Sequence, residues 1–145
     1  MEPGGSESNV AINLANLGND IEFITKLPDN VVGDKIIRYL KKYGVKTNNI
    51  IKGGEKIGVY WTEHGIGPRA SNVTYDRENS SIITLEINEF NFSKLLDKFD
   101  WFHGSGITPA LSENNMKILK KLLDEANKKN IKTSVDLNYR SKLWK

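Results

Sequence analysis

Cysteine is absent from the 145-residue sequence. Disulfides and thiolate metal sites are therefore excluded, and a reducing compartment is permitted without being required. Histidine is scarce, with 2 residues, and neither His64 nor His103 stands at a spacing to Ser or to carboxylates that a triad or a metal site needs. Long apolar runs are missing: nothing approaches the roughly 18–20 residues of a membrane span. The opening Met1-Glu2-Pro3-Gly4 has neither the charged nor the apolar region of a secretory signal. Blocks of one charge are missing too. Lys+Arg number 21 against 18 Asp+Glu, a formal net charge of +3, and the lysines are scattered. Neither a nucleic-acid nor a membrane partner is expected from such a balance, and the expected location is the cytoplasm.

What is present is ordinary for a globular chain: 38% hydrophobic and 27% charged residues. The length suits one domain with a core that needs no staples. With no internal repeat, low-complexity tract or linker, a single unit over 1–145 is the economical reading.

Periodicity organises that unit. Val10, Leu14 and Leu17 share a helical face with Ala11 and Ala15 beside them, and Gly18 stops the run. Ile21 to Leu27 alternates as a strand. Val32, Ile36, Leu40 and Tyr43 recur at helical spacing, with Gly44 where a C-terminal cap belongs. The middle differs: Ile57–Thr62 and Asn72–Tyr75 are β-rich runs around the turn cluster His64–Pro68, which reads as an antiparallel hairpin inserted in an α/β domain. A short helix is expected around Ser93–Asp97. Asp100–Ser105 then reads as a buried strand ending in a glycine turn. Ser112 caps a helix whose face is Met116, Leu119, Leu122, Leu123 and Ala126, Asn130 supplies the left-handed stop, and Ile131–Asp136 is the next strand.

Ligands gather at the carboxyl ends of parallel strands, which singles out Gly104-Ser105-Gly106 and the segment Asp136–Arg140. Asp136, Asn138 and Arg140 alternate, so an extended segment aims them together and offers an acceptor, an amide and a guanidinium to a polyhydroxylated anion. A surface loop with a cap and a salt bridge is the other reading. Gly4-Gly5-Ser6-Glu7-Ser8-Asn9 opens a helix whose free N–H groups could hold an anion or sugar hydroxyls, or it is simply a flexible end. It is not a phosphate loop, because Gly-x-x-x-x-Gly-Lys-Ser/Thr is absent. Tyr60, Tyr75 and Arg77 lie on or beside the hairpin strands, where packing alone would also account for the tyrosines. His64 reads as solvated and His103 as a core residue rather than a base.

Taken together, these segments resemble the ribokinase-like (PfkB) carbohydrate kinases. The stretch Gly4–Gly18 is similar to the family's sugar-binding glycine pair and its helix. Gly33-Asp34, followed by Leu40 and Tyr43-Gly44-Val45, resembles the Val-Gly-x-Asp-x-x-Gly region with looser spacing. Gly58-Val59-Tyr60-Trp61 and Val73-Thr74-Tyr75-Asp76-Arg77 resemble the strands of the family's β lid. Trp101–Thr108 and Asp136–Trp144 resemble two later active-site edges. Within the family, Tyr60 with Tyr75-Asp76-Arg77 leans toward the kinases of 2-keto-3-deoxygluconate, since an arginine fork matches a carboxylate bidentately. A fructokinase, which shares the Asp-x-Asn-x-Arg-x-x-Leu-Trp ending, is the alternative, as is a non-catalytic sugar-acid binding module.

The resemblance implies a three-layer α/β/α sandwich with a small antiparallel β lid over 57–83, incomplete at both ends. It assigns Gly4, Gly5, Ser6, Glu7, Ser8, Asn9, Tyr60, Tyr75, Arg77, Asn138 and Arg140 to substrate binding. The family's Asp-Thr-x-Gly-Ala-Gly-Asp segment, with its catalytic base and anion hole, has no counterpart here, nor has the adenine pocket. No catalytic or metal-binding residue is therefore assigned. ATP and Mg²⁺ belong to the complete family enzyme and are not expected to bind this chain well, so its own kinase activity is expected to be negligible. The implied partner is a small sugar acid. Exposed strand edges, with Val59 to Tyr75 of the lid as the likeliest contact, imply a homo-oligomer.

Overall fold

The computed structural model describes residues 2–140 and 143–144. Helix α1, Ser6–Asn16, follows Gly5 and ends where Gly18 adopts φ 87°, a left-handed stop that glycine makes without a Cβ penalty. Helix α2, Val31–Lys42, is held at its start by Asn30, whose side-chain oxygen accepts from the amides of Val32 and Gly33. Gly33 presses on the preceding turn so closely that a Cβ would lie 2.1 Å from the Pro28 carbonyl oxygen.

The first expected strand is shorter than its sequence pattern. Only β1, Thr25–Leu27, forms a ladder, pairing in parallel with β2, Ile50–Lys52, while Glu22 makes an isolated bridge to Lys46. Strand β2 has no counterpart in the sequence reading, because three residues ahead of Gly53-Gly54 carry too little periodicity to register. The hairpin forms as expected: β3, Val59–Glu63, pairs antiparallel with β4, Asn72–Asp76, setting Tyr60 opposite Tyr75. A 3₁₀ turn at Ile87–Glu89 and a single-turn helix α3, Phe92–Leu95, close the next connection. Strand β5, Trp101–Ser105, helix α4, Glu113–Lys128, and strand β6, Lys132–Asp136, complete a parallel crossover with Ser105 opposite Asp136. Among the described residues the strands thus form three two-stranded sheets, two parallel and one antiparallel.

Helix α4 starts as read, with the Ser112 hydroxyl accepting from the Asn115 amide, and Asn130 takes the left-handed φ of 55° just after it. Its buried face is turned from the one expected. Met116 is half exposed, while Asn115, Ile118, Leu122 and Ala126 face inward at i, i+3, i+4 spacing with Leu119 and Leu123 flanking them. Asn115 is buried because its side-chain amide donates to the Ile82 carbonyl at 3.0 Å, an acceptor that a methionine thioether could not satisfy. This face packs with Leu85, Phe92, Leu95, Leu96 and Phe102 into the larger core cluster, and Ala11, Leu40 and Val45 form a second one.

One charge enters the interior. Lys26 of β1 is buried, and its ammonium donates to both Glu89 oxygens at 2.8 and 2.9 Å and to the Thr84 carbonyl at 3.1 Å. The Glu89 carboxylate also accepts from the Glu86 amide at 2.7 Å. The pair ties β1 to the segment that leads out of the hairpin. Burial alone would raise the Glu89 carboxyl, but the hydrogen bonds from Lys26 and the Glu86 amide and the Lys26 charge outweigh it and hold the group below the ordinary carboxylate value.

Candidate sugar-binding site

The glycine pair leaves the head of α1 without a side-chain cap. Gly5 sits at φ 134° in the N-cap position and offers no side-chain cap, so the first-turn amides of the helix have no side-chain acceptor there. Any Cβ on Gly5 would stand 2.9 Å from the Ser8 hydroxyl, which itself donates to the Gly5 carbonyl at 3.0 Å. Asn9 donates its backbone N–H to the same carbonyl as the first regular helical bond. Backbone amides at such a helix start favour anions and hydroxyl oxygens.

Glu7, in the first turn, faces inward rather than outward. The Ser6 hydroxyl donates to one carboxylate oxygen at 2.6 Å and the Thr108 hydroxyl to the other at 2.6 Å. Ser6 already donates to Glu7, so its 3.4 Å contact with Ser105 is one in which Ser105 donates. The Ser105 oxygen in turn accepts from the Ile107 amide at 3.2 Å. Burial opposes ionisation of Glu7, yet the hydroxyls of Ser6, Thr108 and Ser105 and its own amide together hold its carboxyl below the ordinary range. Thr108 was not read as a site residue; its only sequence signal is the Gly-Ser-Gly-Ile-Thr run that follows β5.

The hairpin reaches back to this edge. A Cβ built on Gly4 would lie 2.9 Å from the Tyr60 hydroxyl, so a residue larger than glycine at position 4 would push the phenol away. The Tyr60 and Tyr75 rings stand 6.1 Å apart at 50°, and the Arg77 guanidinium lies 4.2 Å over the Tyr75 ring. Such stacking holds the guanidinium in place without spending its hydrogen-bond donors. Among the described residues no carboxylate pairs with Arg77, whereas Lys56 and Asp76 on the same hairpin pair with each other at 2.5 Å. Tyr60 is thus set against Gly4 at the head of α1, with Tyr75 beside it and Arg77 stacked on Tyr75, while Gly5, Ser6, Glu7, Ser8 and Asn9 follow Gly4 into the first turn.

The segment after β6 does not run as the alternation suggests. Asn138 adopts φ 39°, and its amide donates to the Asp136 carboxylate at 3.0 Å in a local turn, so Asp136, Asn138 and Arg140 do not form an extended row. The turn is docked against the end of β5: the Gly106 amide donates to the Asp136 carbonyl at 2.8 Å, and a Cβ on Gly106 would meet the Leu137 oxygen at 2.1 Å. Arg140 is exposed, with one guanidinium nitrogen donating to the Tyr139 carbonyl at 3.2 Å. No hydrogen bond or ring contact joins Asn138 or Arg140 to the hairpin among the described residues. Ser141 and Lys142 of the quoted ending lie outside the described residues, as do Met1 and Lys145.

His64 is exposed in the hairpin turn. His103 is half-buried: its Nδ1 meets the Ser134 hydroxyl at 2.8 Å and its buried Nε2 has no partner among the described residues, so it is less fully satisfied than a core reading implies. Among the described residues, no group of three or more His, Cys, Asp or Glu is placed to hold a metal, and no helix is long and apolar enough to cross a membrane.

A glycine-opened helix facing a tyrosine–arginine hairpin, beside parallel strands β5 and β6, defines an α/β class of protein with an inserted antiparallel hairpin. Over residues 1–145 the chain matches the pfkB family of carbohydrate kinases, and it belongs to that family. It is 37% identical over 140 residues to the 2-dehydro-3-deoxygalactonokinase of Haloferax volcanii, across 97% of this chain and 44% of that protein. Among solved structures, the 2-dehydro-3-deoxygluconokinase of Thermotoga maritima superposes with a TM-score of 0.93 at 48% identity, covering 97% of this chain and 43% of that one. A PfkB family carbohydrate kinase from Listeria grayi superposes with a TM-score of 0.94 at 37% identity, covering 98% and 44%. The chain therefore has the ribokinase-like fold of these kinases as a partial domain, and it spans less than half the length of the relatives it matches.

Proposed function

We propose that the chain is the substrate-binding part of an ATP-dependent kinase of 2-keto-3-deoxygluconate or of its galactonate epimer. The observation that carries this reading is the close approach of the Tyr60 hydroxyl to Gly4 beside an Arg77 guanidinium that has no carboxylate partner among the described residues. A neutral hexose does not call for that free cation, whereas a sugar acid does. The names of the kinases from Thermotoga maritima and Haloferax volcanii support the same class. In this reading residues 57–83 are the lid of a three-layer α/β/α sandwich. The first-turn amides of α1 and the hydroxyls of Ser6 and Ser8 take the sugar hydroxyls, Asn9 stands at the same edge, and Tyr60 and Tyr75 bracket the sugar. Arg77 takes the carboxylate, and the turn carrying Asn138 and Arg140 moves in to complete the site. ATP with Mg²⁺ supplies the transferred phosphoryl group in this family's reaction. In this reading the part of the described residues is to bind and orient the sugar. We place the nucleotide site and the base in sequence corresponding to the rest of the relatives' length.

Calorimetric titration of the purified chain with 2-keto-3-deoxygluconate, 2-keto-3-deoxygalactonate and fructose tests this reading. The sugar acids should bind and fructose should not. Arg77→Ala should weaken the acids by roughly 10- to 100-fold, the loss of a charge-assisted contact of about 1.5–3 kcal/mol. ATP-dependent turnover by the chain alone should be negligible. Tighter binding of fructose, with no effect of Arg77→Ala, would shift the reading to a neutral-sugar kinase. Turnover by the chain alone would show that the base lies within it.

A further inference from the structure

We propose that Glu7 is a positioning residue of the sugar site, its carboxylate clamping the glycine opening of α1 to the turn that follows β5. The inference rests on the sugar-site reading above and changes the part Glu7 plays in it, from a contact to a clamp.

Three observations carry it. Both carboxylate oxygens are engaged by the protein itself, one by the Ser6 hydroxyl at 2.6 Å and one by the Thr108 hydroxyl at 2.6 Å. The donors come from both sides of the site: Ser6 adjoins Gly4-Gly5, and Thr108 lies 101 residues beyond Glu7. The chain of donors continues through Ser105 to the Ile107 amide, so the carboxylate orders every hydroxyl in the turn. Among the described residues no cation pairs with Glu7, and its charge is held by hydroxyl donors and its own amide. Such a bond geometry has one direction: the carboxylate can only accept, so each hydroxyl must point at it. Releasing Glu7 frees Ser6 and Thr108 to rotate and lets the Gly4 backbone drift from the Tyr60 hydroxyl. Helix α1 itself stays anchored, because Ala11 packs with Leu40 and Val45 in the smaller cluster, further along the helix.

The test compares Glu7→Gln, Thr108→Val and Thr108→Ser in the whole chain. Each of Glu7→Gln and Thr108→Val should weaken 2-keto-3-deoxygluconate binding by about tenfold or more, as expected when a charge-assisted hydrogen bond is lost. Thr108→Ser, which keeps the hydroxyl, should restore affinity. The double variant Glu7→Gln/Thr108→Val should bind no more weakly than the worse single variant, since both break one clamp. A purely structural role would lower the melting temperature while leaving the affinity of the folded chain unchanged, and that result would overturn the proposal. A wild-type chain that binds neither sugar acid would count against the function reading, and amide exchange then decides the clamp separately. The Ile107 N–H should exchange about tenfold faster in Glu7→Gln and Thr108→Val, in step with the loosened Ser105 hydroxyl. Unchanged exchange would refute the clamp.

Discussion

Replacing Lys26 with methionine keeps the aliphatic stem and deletes the ammonium. The variant loses three hydrogen bonds at once, two to Glu89 and one to the Thr84 carbonyl. Glu89 then keeps its bond from the Glu86 amide but no counter-charge, and the Thr84 carbonyl loses a donor. Breaking a fully buried pair costs about 3–5 kcal/mol. The Glu89 side chain is 26% exposed, so water can take part of the orphaned charge, and the expected loss is about 2–4 kcal/mol. For a domain of this size each kcal/mol corresponds to roughly 2–4 °C, so the melting temperature should fall by about 4–16 °C. Urea unfolding should show a lower midpoint at unchanged slope, because the exposed surface is the same. A Lys26→Met/Glu89→Gln double variant should recover part of the loss, since it removes the unpaired charge along with its partner. Lys26→Met within about 0.5 kcal/mol of the wild type would refute the reasoning. It would mean that the pair is solvated in solution and does not brace the base of the hairpin.

Gly33→Ala forces a Cβ to within 2.1 Å of the Pro28 carbonyl oxygen, a backbone atom that cannot swing aside. It should cost about 3 kcal/mol or more, read as a lowered urea midpoint. The acid limb of stability tests the carboxylates. Glu7 and Glu89 both have folded-state values below the ordinary carboxylate value. Their stabilisation is thus fully present above the unfolded value of about 4.3 and is lost as pH falls through the depressed folded value. Chemical denaturation from pH 6 down to about pH 2 should therefore show a steeper fall below pH 4.3 in wild type than in either Glu7→Gln or Glu89→Gln. Equal slopes in all three would count against the hydrogen-bond account of those shifts.

The helices and the hairpin were legible because their signals are local. Val32, Ile36 and Leu40 carry the period of α2, and Gly44 marks its end. The runs around His64–Pro68 alternate strongly enough to read as paired strands. Strand β2 was not legible, since Ile50–Lys52 is a strand only because β1 lies beside it. The α4 face was misjudged by one residue. Hydropathy favours Met116, but Asn115 finds a carbonyl at Ile82 and turns inward. The alternation of Asp136, Asn138 and Arg140 predicted an extended row that the left-handed Asn138 breaks. Asparagine tolerates that conformation, and no neighbour in the sequence announces it.

For the site, the residue types were readable and their grouping was not. The absent cysteine, the scattered charge, the glycine pair at the head of a helix and the tyrosine–arginine hairpin follow from the sequence alone, since composition and short spacing decide them. Glu7 and Thr108 meet across 101 residues, Lys26 and Glu89 across 63, and Tyr60 reaches Gly4 from another element. Only the tertiary structure decides those pairings. A hydrogen bond or a buried charge acts within a few ångströms, and which groups come that close depends on how the elements pack.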